Sequence, residues 1–294
     1  MAFHSNLNSE MNFSLPDFQL LPFVEAALRE DIRSGDITTN SLIPADATAT
    51  ALMRFRESGV VCGIDAAKST FRLLDKNVDL KVLLEDGDAV KAGEVALEIR
   101  GNARAILTAE RVSLNIVQHL SGIASATAQY VRETDGTKAH IVDTRKTTPG
   151  LRLLEKYAVR CGGGHNHRYA LDDMILIKDN HIALCGGIQK AVSRARENVG
   201  HSVKIEVECD TLDQVREVLQ AGAELVLLDN MPPETLREAV EIVNGKALCE
   251  ASGGINLQTV RGVAQSGVDI ISVGALTHSV RALDVGLDIN VSAE

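Results

Sequence analysis

From Thr137 onward, apolar runs of strand length alternate with helical segments. The runs read HIVDT, MILIK, VKIEVE, ELVLLDN, ALCEASG and DIISVG. The intervening segments 188–199, 211–221, 233–244 and 256–266 each end at or beside a glycine (Gly200, Gly222, Gly245, Gly267), as helix C-termini prefer. This alternation predicts parallel β/α units. Glu208, Asp229, Ser252 and Gly274 close successive strands at intervals of 21, 23 and 22 residues, the length of one such unit. All four are therefore expected on one rim, joined there by Asp143 to Lys146 and by Lys178, which end the two earlier strands.

The first half of the chain has a different rhythm. Residues 1 to about 17 read as a loose terminus, and Leu20, Leu21, Val24, Ala27 and Leu28 predict a helix over 20–30 with Pro22 in its first turn. Residues 30–44 read as a polar loop ordered by Asp and Thr caps. Between Ala47 and Gly101 come strands TATALMRF and GVVCG, a helix over 66–74, and turns at 86–88 and 91–93 flanked by alternating apolar residues. That pattern predicts a small β-rich layer. Its rhythm resembles biotinyl and lipoyl carrier domains, but the modified lysine between two methionines is missing, which argues against a carrier module. Ile106 to Glu133 predicts one long helix, or two meeting at Gly122, with Leu107, Leu114, Val117, Leu120, Ile123 and Ala124 as the buried stripe.

Composition narrows the class. With 294 residues, 45% of them apolar, the chain can fill a real core. No apolar run approaches the roughly 20 residues that cross a bilayer, and the polar N-terminus lacks signal-peptide features, so a cytoplasmic location is expected. The five cysteines show no zinc spacing and read as reduced thiols, most of them in the core. A net charge of -10, no basic tail and few aromatics argue against a nucleic-acid binder.

Charge changes the picture most between Asp143 and His181, where seven Lys or Arg outnumber the carboxylates of an otherwise acidic chain. Such a local excess predicts a pocket for an anion with several negative groups, because Arg and Lys bind carboxylate and phosphate through short charge-assisted bonds. From the helical spacing of Leu151, Leu154 and Ala158, Arg152, Lys156 and Arg160 are expected on the outer side of a short helix closed by Gly162. Arg145, Lys146, His167, Arg168 and Lys178 are the functional candidates, and Arg111 reads at first as a surface residue. Glu208 and Asp229 suit a hard divalent cation held chiefly through a phosphate-bearing ligand. At Ser252-Gly253-Gly254 and Gly274-Ala275, backbone N–H groups can approach a phosphate closely. The rim so described fits transfer of a phosphorylated sugar to a carboxylate-bearing acceptor. A Schiff-base lyase using Lys178, or a transferase for the monocarboxylate nicotinate, are the alternatives.

The runs TRKTTPGLRLLEKYAVRCGGGHNHR, LIKDNH, EVE, LLDN, EASGGI and ISVGALTHS, with EDIRSGDITT and AERVSLN earlier, resemble the quinolinate phosphoribosyltransferase family over nearly the whole chain. The resemblance implies an N-terminal α/β sandwich followed by an incomplete, about six-stranded parallel α/β barrel. The expected division is a terminus 1–17, a sandwich domain 18–122 and a barrel domain 123–294 whose C-terminal segment packs back on the first. It also implies conversion of quinolinate and 5-phosphoribosyl 1-diphosphate into nicotinate mononucleotide, carbon dioxide and diphosphate, with Mg²⁺. Thr144, Arg145, His167, Arg168 and Lys178 would bind quinolinate, with Lys146 between that site and the diphosphate. Glu208 and Asp229 would serve ribose and metal, and Ser252, Gly253, Gly254, Val273, Gly274 and Ala275 the phosphate. Arg111 would reach the neighbouring subunit's site in a homodimer.

Overall fold

The computed structural model describes residues 14–290, so the loose terminus expected over 1–17 lies outside them as far as residue 13. The chain divides into two compact units, Ala126–Ser279 and the residues on either side of it.

The flanking unit begins with α1 (Asp17–Ile32), which buries Leu20, Val24 and Leu28, four residues apart on one face. Pro22 sits past the first turn, where its missing N–H leaves the Phe18 carbonyl without the usual partner. The expected polar loop contains a short helix, α2 (Ile37–Leu42), because the Asp36 side chain accepts from the Thr39 N–H at 2.9 Å and caps it. Next come β1 (Thr48–Phe55), β2 (Gly59–Val60), α3 (Ile64–Leu74), β3 (Asp79–Val82), β4 (Ala89–Val90) and β5 (Val95–Asn102). In β1, Ala49, Ala51, Met53 and Phe55 alternate into the core, where they join Phe71 of α3 and Leu97 and Ile99 of β5. α4 (Ala103–Glu133) runs unbroken through Gly122, where a Cβ would stand 2.3 Å from the Arg281 carbonyl oxygen. Near its start Ala103 and Ile106 are buried, and Leu107 is only half-buried.

The second unit alternates strand and helix. It contains β6 (His140–Val142), α5 (Arg152–Cys161), β7 (Ile175–Ile177), α6 (Asp179–Cys185), α7 (Ile188–Asn198), β8 (Ile205–Cys209), α8 (Leu212–Ala221), β9 (Leu225–Asp229), α9 (Pro233–Val243), β10 (Leu248–Ser252), α10 (Val260–Ala264), β11 (Ile270–Ser272) and α11 (Ala275–His278). The strands pair in parallel in the order β6-β11-β10-β9-β8-β7. With β6 and β7 left as edges, this is an incomplete α/β barrel. The chain then returns to the first sheet as β12 (Val285–Asn290), antiparallel to β1, giving the order β12-β1-β5-β3.

Gly162 does follow α5, but contrary to expectation Lys156 is fully buried and Arg152 and Arg160 are half-buried. The apolar spacing marked only one buried face, and Glu155 and Lys156 turn inward as well because they have internal partners. Cys62, Cys209 and Cys249 are buried, and Cys161 and Cys185 half-buried. Among the described residues, no helix is long and apolar enough to cross a membrane.

Candidate active site

Because a strand points successive side chains to opposite faces, residues two apart share the barrel interior. Leu176 and Lys178, Glu206 and Glu208, Leu227 and Asp229, and Glu250 and Ser252 are such pairs, and each second member stands at the C-terminal end of its strand. The register agrees, with Ser252 beside Asp229 and Glu208 beside Leu227. These ends open into a cavity of about 750 Å³. Thr144, Arg145, Lys146, His167, Arg168, Lys178, Glu208, Asp229, Ser252, Gly253 and Gly254 all line it.

The cationic side is built around Asp143, which directly follows β6. Its Oδ1 accepts from the His167 N–H at 2.9 Å and from the Lys156 ammonium, and its Oδ2 accepts from Asn166 at 2.6 Å. Lys156 also donates to the His167 carbonyl at 3.0 Å. Burial pushes the Asp143 carboxyl up and the Lys156 ammonium down, while each one's charge opposes the other's shift. The buried pair thus ties the loop carrying His167 and Arg168 to the end of β6.

The cations themselves differ in how far they are satisfied. The Arg145 Nε is buried with no hydrogen-bond partner, as expected of a group waiting for an anion. Arg168 donates to the Met174 carbonyl at 3.0 Å, and burial followed by the like charge of Arg145 lowers its pKa. Lys178 pairs with Glu208 at 2.7 Å, and its backbone N–H donates to His181 Nδ1 at 2.9 Å. Lys146 is exposed at the rim, its loop tied down where Thr277 Oγ1 donates to the Lys146 carbonyl at 2.7 Å.

The opposite side holds Asp229, whose Oδ2 accepts from Asn230 Nδ2 at 2.6 Å. Asn230 takes φ 53° and donates its N–H to the Ser252 carbonyl at 2.9 Å. Gly253, at φ +90°, fits against that amide: a Cβ there would lie 2.3 Å from Asn230 Oδ1. Gly274 lies beside this region of the rim, where a Cβ would stand 3.1 Å from Lys146 Cδ. Gly274 and Ala275 are not among the cavity-lining residues, and neither is Val273, which is buried with its N–H donating to the Val142 carbonyl at 2.9 Å. Arg111 belongs to the other unit, exposed on α4, and also does not line the cavity.

Glu208 and Asp229 belong to no cluster of three candidate metal ligands among the described residues. Two hard oxygen donors fit a Mg²⁺ ion that takes its remaining ligands from phosphate and water.

Sequence reasoning passed over Glu206 and Glu250. Both are buried, and their carboxylates stand 3.2 and 3.4 Å from His167 Nε2. Burial and the neighbouring Glu250 push Glu206 up to about 7. The signal was present in EVE and EAS, since a residue two before a rim carboxylate or rim serine must face the same interior.

A parallel-barrel rim with cations on one flank and carboxylates and glycines on the other defines an enzyme for polyanionic substrates. The chain belongs to the quinolinate phosphoribosyl transferase family: residues 36–121 match its N-terminal domain and 123–288 its C-terminal domain. It is 46% identical over 276 residues to the probable nicotinate-nucleotide pyrophosphorylase [carboxylating] of Bacillus subtilis, covering 94% of this chain and 95% of that one. The Mycobacterium leprae nicotinate-nucleotide pyrophosphorylase [carboxylating] is 47% identical over 275 residues, 90% of this chain and 95% of that one. Among solved structures, NadC from Streptococcus pyogenes superposes with a TM-score of 0.92 at 41% identity, covering 95% of this chain and 99% of that one.

Proposed function

We propose that this cavity transfers the phosphoribosyl group of 5-phosphoribosyl 1-diphosphate to the nitrogen of quinolinate and releases carbon dioxide, diphosphate and nicotinate mononucleotide. The observation that carries the reading is the convergence of Arg145, Arg168 and Lys178 with Glu208, Asp229 and Gly253 around one opening. Membership of the family and the curated relatives' names support it.

In this reading Arg145, Arg168 and Lys178, with Thr144 and His167 beside them, hold the two carboxylates of the acid and orient its ring. The C1–O bond of the donor breaks with its electron pair going to diphosphate, and Lys146 neutralises that leaving group. Glu208 or Asp229 stabilises the positive charge that develops on the ribose. The pyridine nitrogen then forms the new bond to C1. Once ribosylated, the ring is cationic and accepts the electron pair left at C2 when carbon dioxide departs, and a proton from solvent completes the product. Glu208 and Asp229 would hold a Mg²⁺ ion, which would supply charge neutralisation to the diphosphate. The Ser252–Gly254 turn, with the Val273-Gly274-Ala275 segment beside it, offers backbone donors to the donor's phosphate.

A homodimer in which the exposed Arg111 serves the neighbouring subunit's site, working in the cytoplasm, completes the reading. The deciding experiment supplies quinolinate, the phosphoribosyl donor and Mg²⁺ and looks for carbon dioxide and nicotinate mononucleotide. Failure to form both refutes it.

A further inference from the structure

Glu206 and Glu250 have no place in the reaction described above, yet Glu250 lines the same cavity and Glu206 lies buried against the same His167 ring edge. Apart from the His167 ring edge, no donor reaches their four carboxylate oxygens. Two buried, neighbouring carboxylates with so little compensation are costly to a fold, by several kcal/mol per uncompensated ion. What they share is the ion-pair contact with one edge of the His167 ring, Nε2, at 3.2 and 3.4 Å.

The rest of His167 is fixed from elsewhere. Its N–H is held by Asp143 and its carbonyl by Lys156, so the backbone cannot move and only ring rotation is left open. The ring's other nitrogen, Nδ1, accepts the backbone N–H of Arg168 at 2.7 Å. Against the opposing effect of burial, the two glutamates favour a proton on Nε2, whereas Nδ1, which accepts the Arg168 N–H, carries none. The Nε2 proton, which faces both carboxylates, is the secure one. Both ring nitrogens are therefore engaged within the protein.

We propose that Glu206 and Glu250 are positioning residues for the acceptor acid, gripping the Nε2 edge of His167 so that its Nδ1 edge fixes the start of Arg168 against the cavity. The proposal rests on the reading of this cavity as the acceptor site. His167 then acts through Arg168, as a strut between a buried acidic pair and a cation lining the cavity. A glutamate beneath an anion site would be a liability by charge alone, and its place here makes sense as a fixed acceptor for an N–H that must not rotate.

The test uses the whole enzyme. Turnover and calorimetric binding of quinolinate are first measured for the wild-type protein, and absence of turnover there refutes the family reaction and not this proposal. Replacing both glutamates together, Glu206→Leu and Glu250→Leu, is expected to weaken quinolinate binding about tenfold or more. Donor binding is expected to stay within about twofold. Glu206→Gln with Glu250→Gln keeps an oxygen for Nε2 and is expected to recover most of the lost affinity. Quinolinate affinity unchanged in the leucine pair, or both substrates weakened together, overturns the proposal. So does loss of divalent-cation binding with quinolinate affinity intact, which would make the cluster a metal site. Should the leucine pair not fold, Glu250→Asp, which keeps the charge but shortens its reach, decides: the same selective loss supports the proposal and its absence overturns it.

Discussion

Lys178 donates to Glu208 at 2.7 Å, so a cation assigned to the acceptor acid and a carboxylate assigned to the ribose already neutralise one another across adjacent strands. Removing the carboxylate should therefore separate binding from chemistry. Glu208→Gln or Asp229→Ala is expected to lower turnover by at least about a hundredfold while quinolinate affinity is retained, because the lost group acts where charge develops. Chelation of Mg²⁺ should mimic this pattern. Calorimetry showing quinolinate binding abolished in either variant would contradict it.

Arg168 reaches the cavity from a loop anchored at Asp143 and, through the His167 ring, at its own backbone N–H. Arg168→Ala should weaken quinolinate binding by about 2 kcal/mol or more, the scale of a charge-assisted pair, and leave donor binding nearly untouched. Equal losses for both ligands would remove the assigned role.

Gly253 should be the converse case. Its positive φ and the Asn230 amide 2.3 Å from an added Cβ leave no room for a side chain. Gly253→Ala is expected to raise the KM for the phosphoribosyl donor about tenfold or more, with strain on the order of 1–2 kcal/mol, while the quinolinate KM stays within about twofold. A donor KM equal to that of wild type would show that the turn does not carry the phosphate.

The Lys156–Asp143 pair should dominate stability. Lys156→Met strands a buried carboxylate and is expected to cost about 3–5 kcal/mol in denaturant unfolding. Adding Asp143→Asn should recover a large part of that loss, since the double replacement leaves no buried charge. A double variant no more stable than the single one would contradict the account.

Much of this was legible beforehand because strand-end spacing is a geometric quantity: repeats of 21 to 23 residues place Glu208, Asp229 and Ser252 on one rim whatever packs behind them. Lys156 was misread because helical periodicity was judged from apolar residues alone, and a charge that carries its own buried partner is invisible to that measure. Glu206 and Glu250 were missed for a related reason. In a half-filled barrel the interior is not uniformly apolar, so an inward glutamate looks like the polar half of an alternating strand. α6 is too short for a periodic signal, and α2 depends on a single cap.

The last strand also constrains how the polypeptide matures. β12 pairs with β1 over six positions, Thr50–Phe55 against Asn290–Val285, after the whole barrel has been written between them. During synthesis the edge of β1 therefore stays unsealed until the barrel between the two strands has been made, and a nascent chain halted within the barrel would expose an unprotected strand edge open to association with another chain.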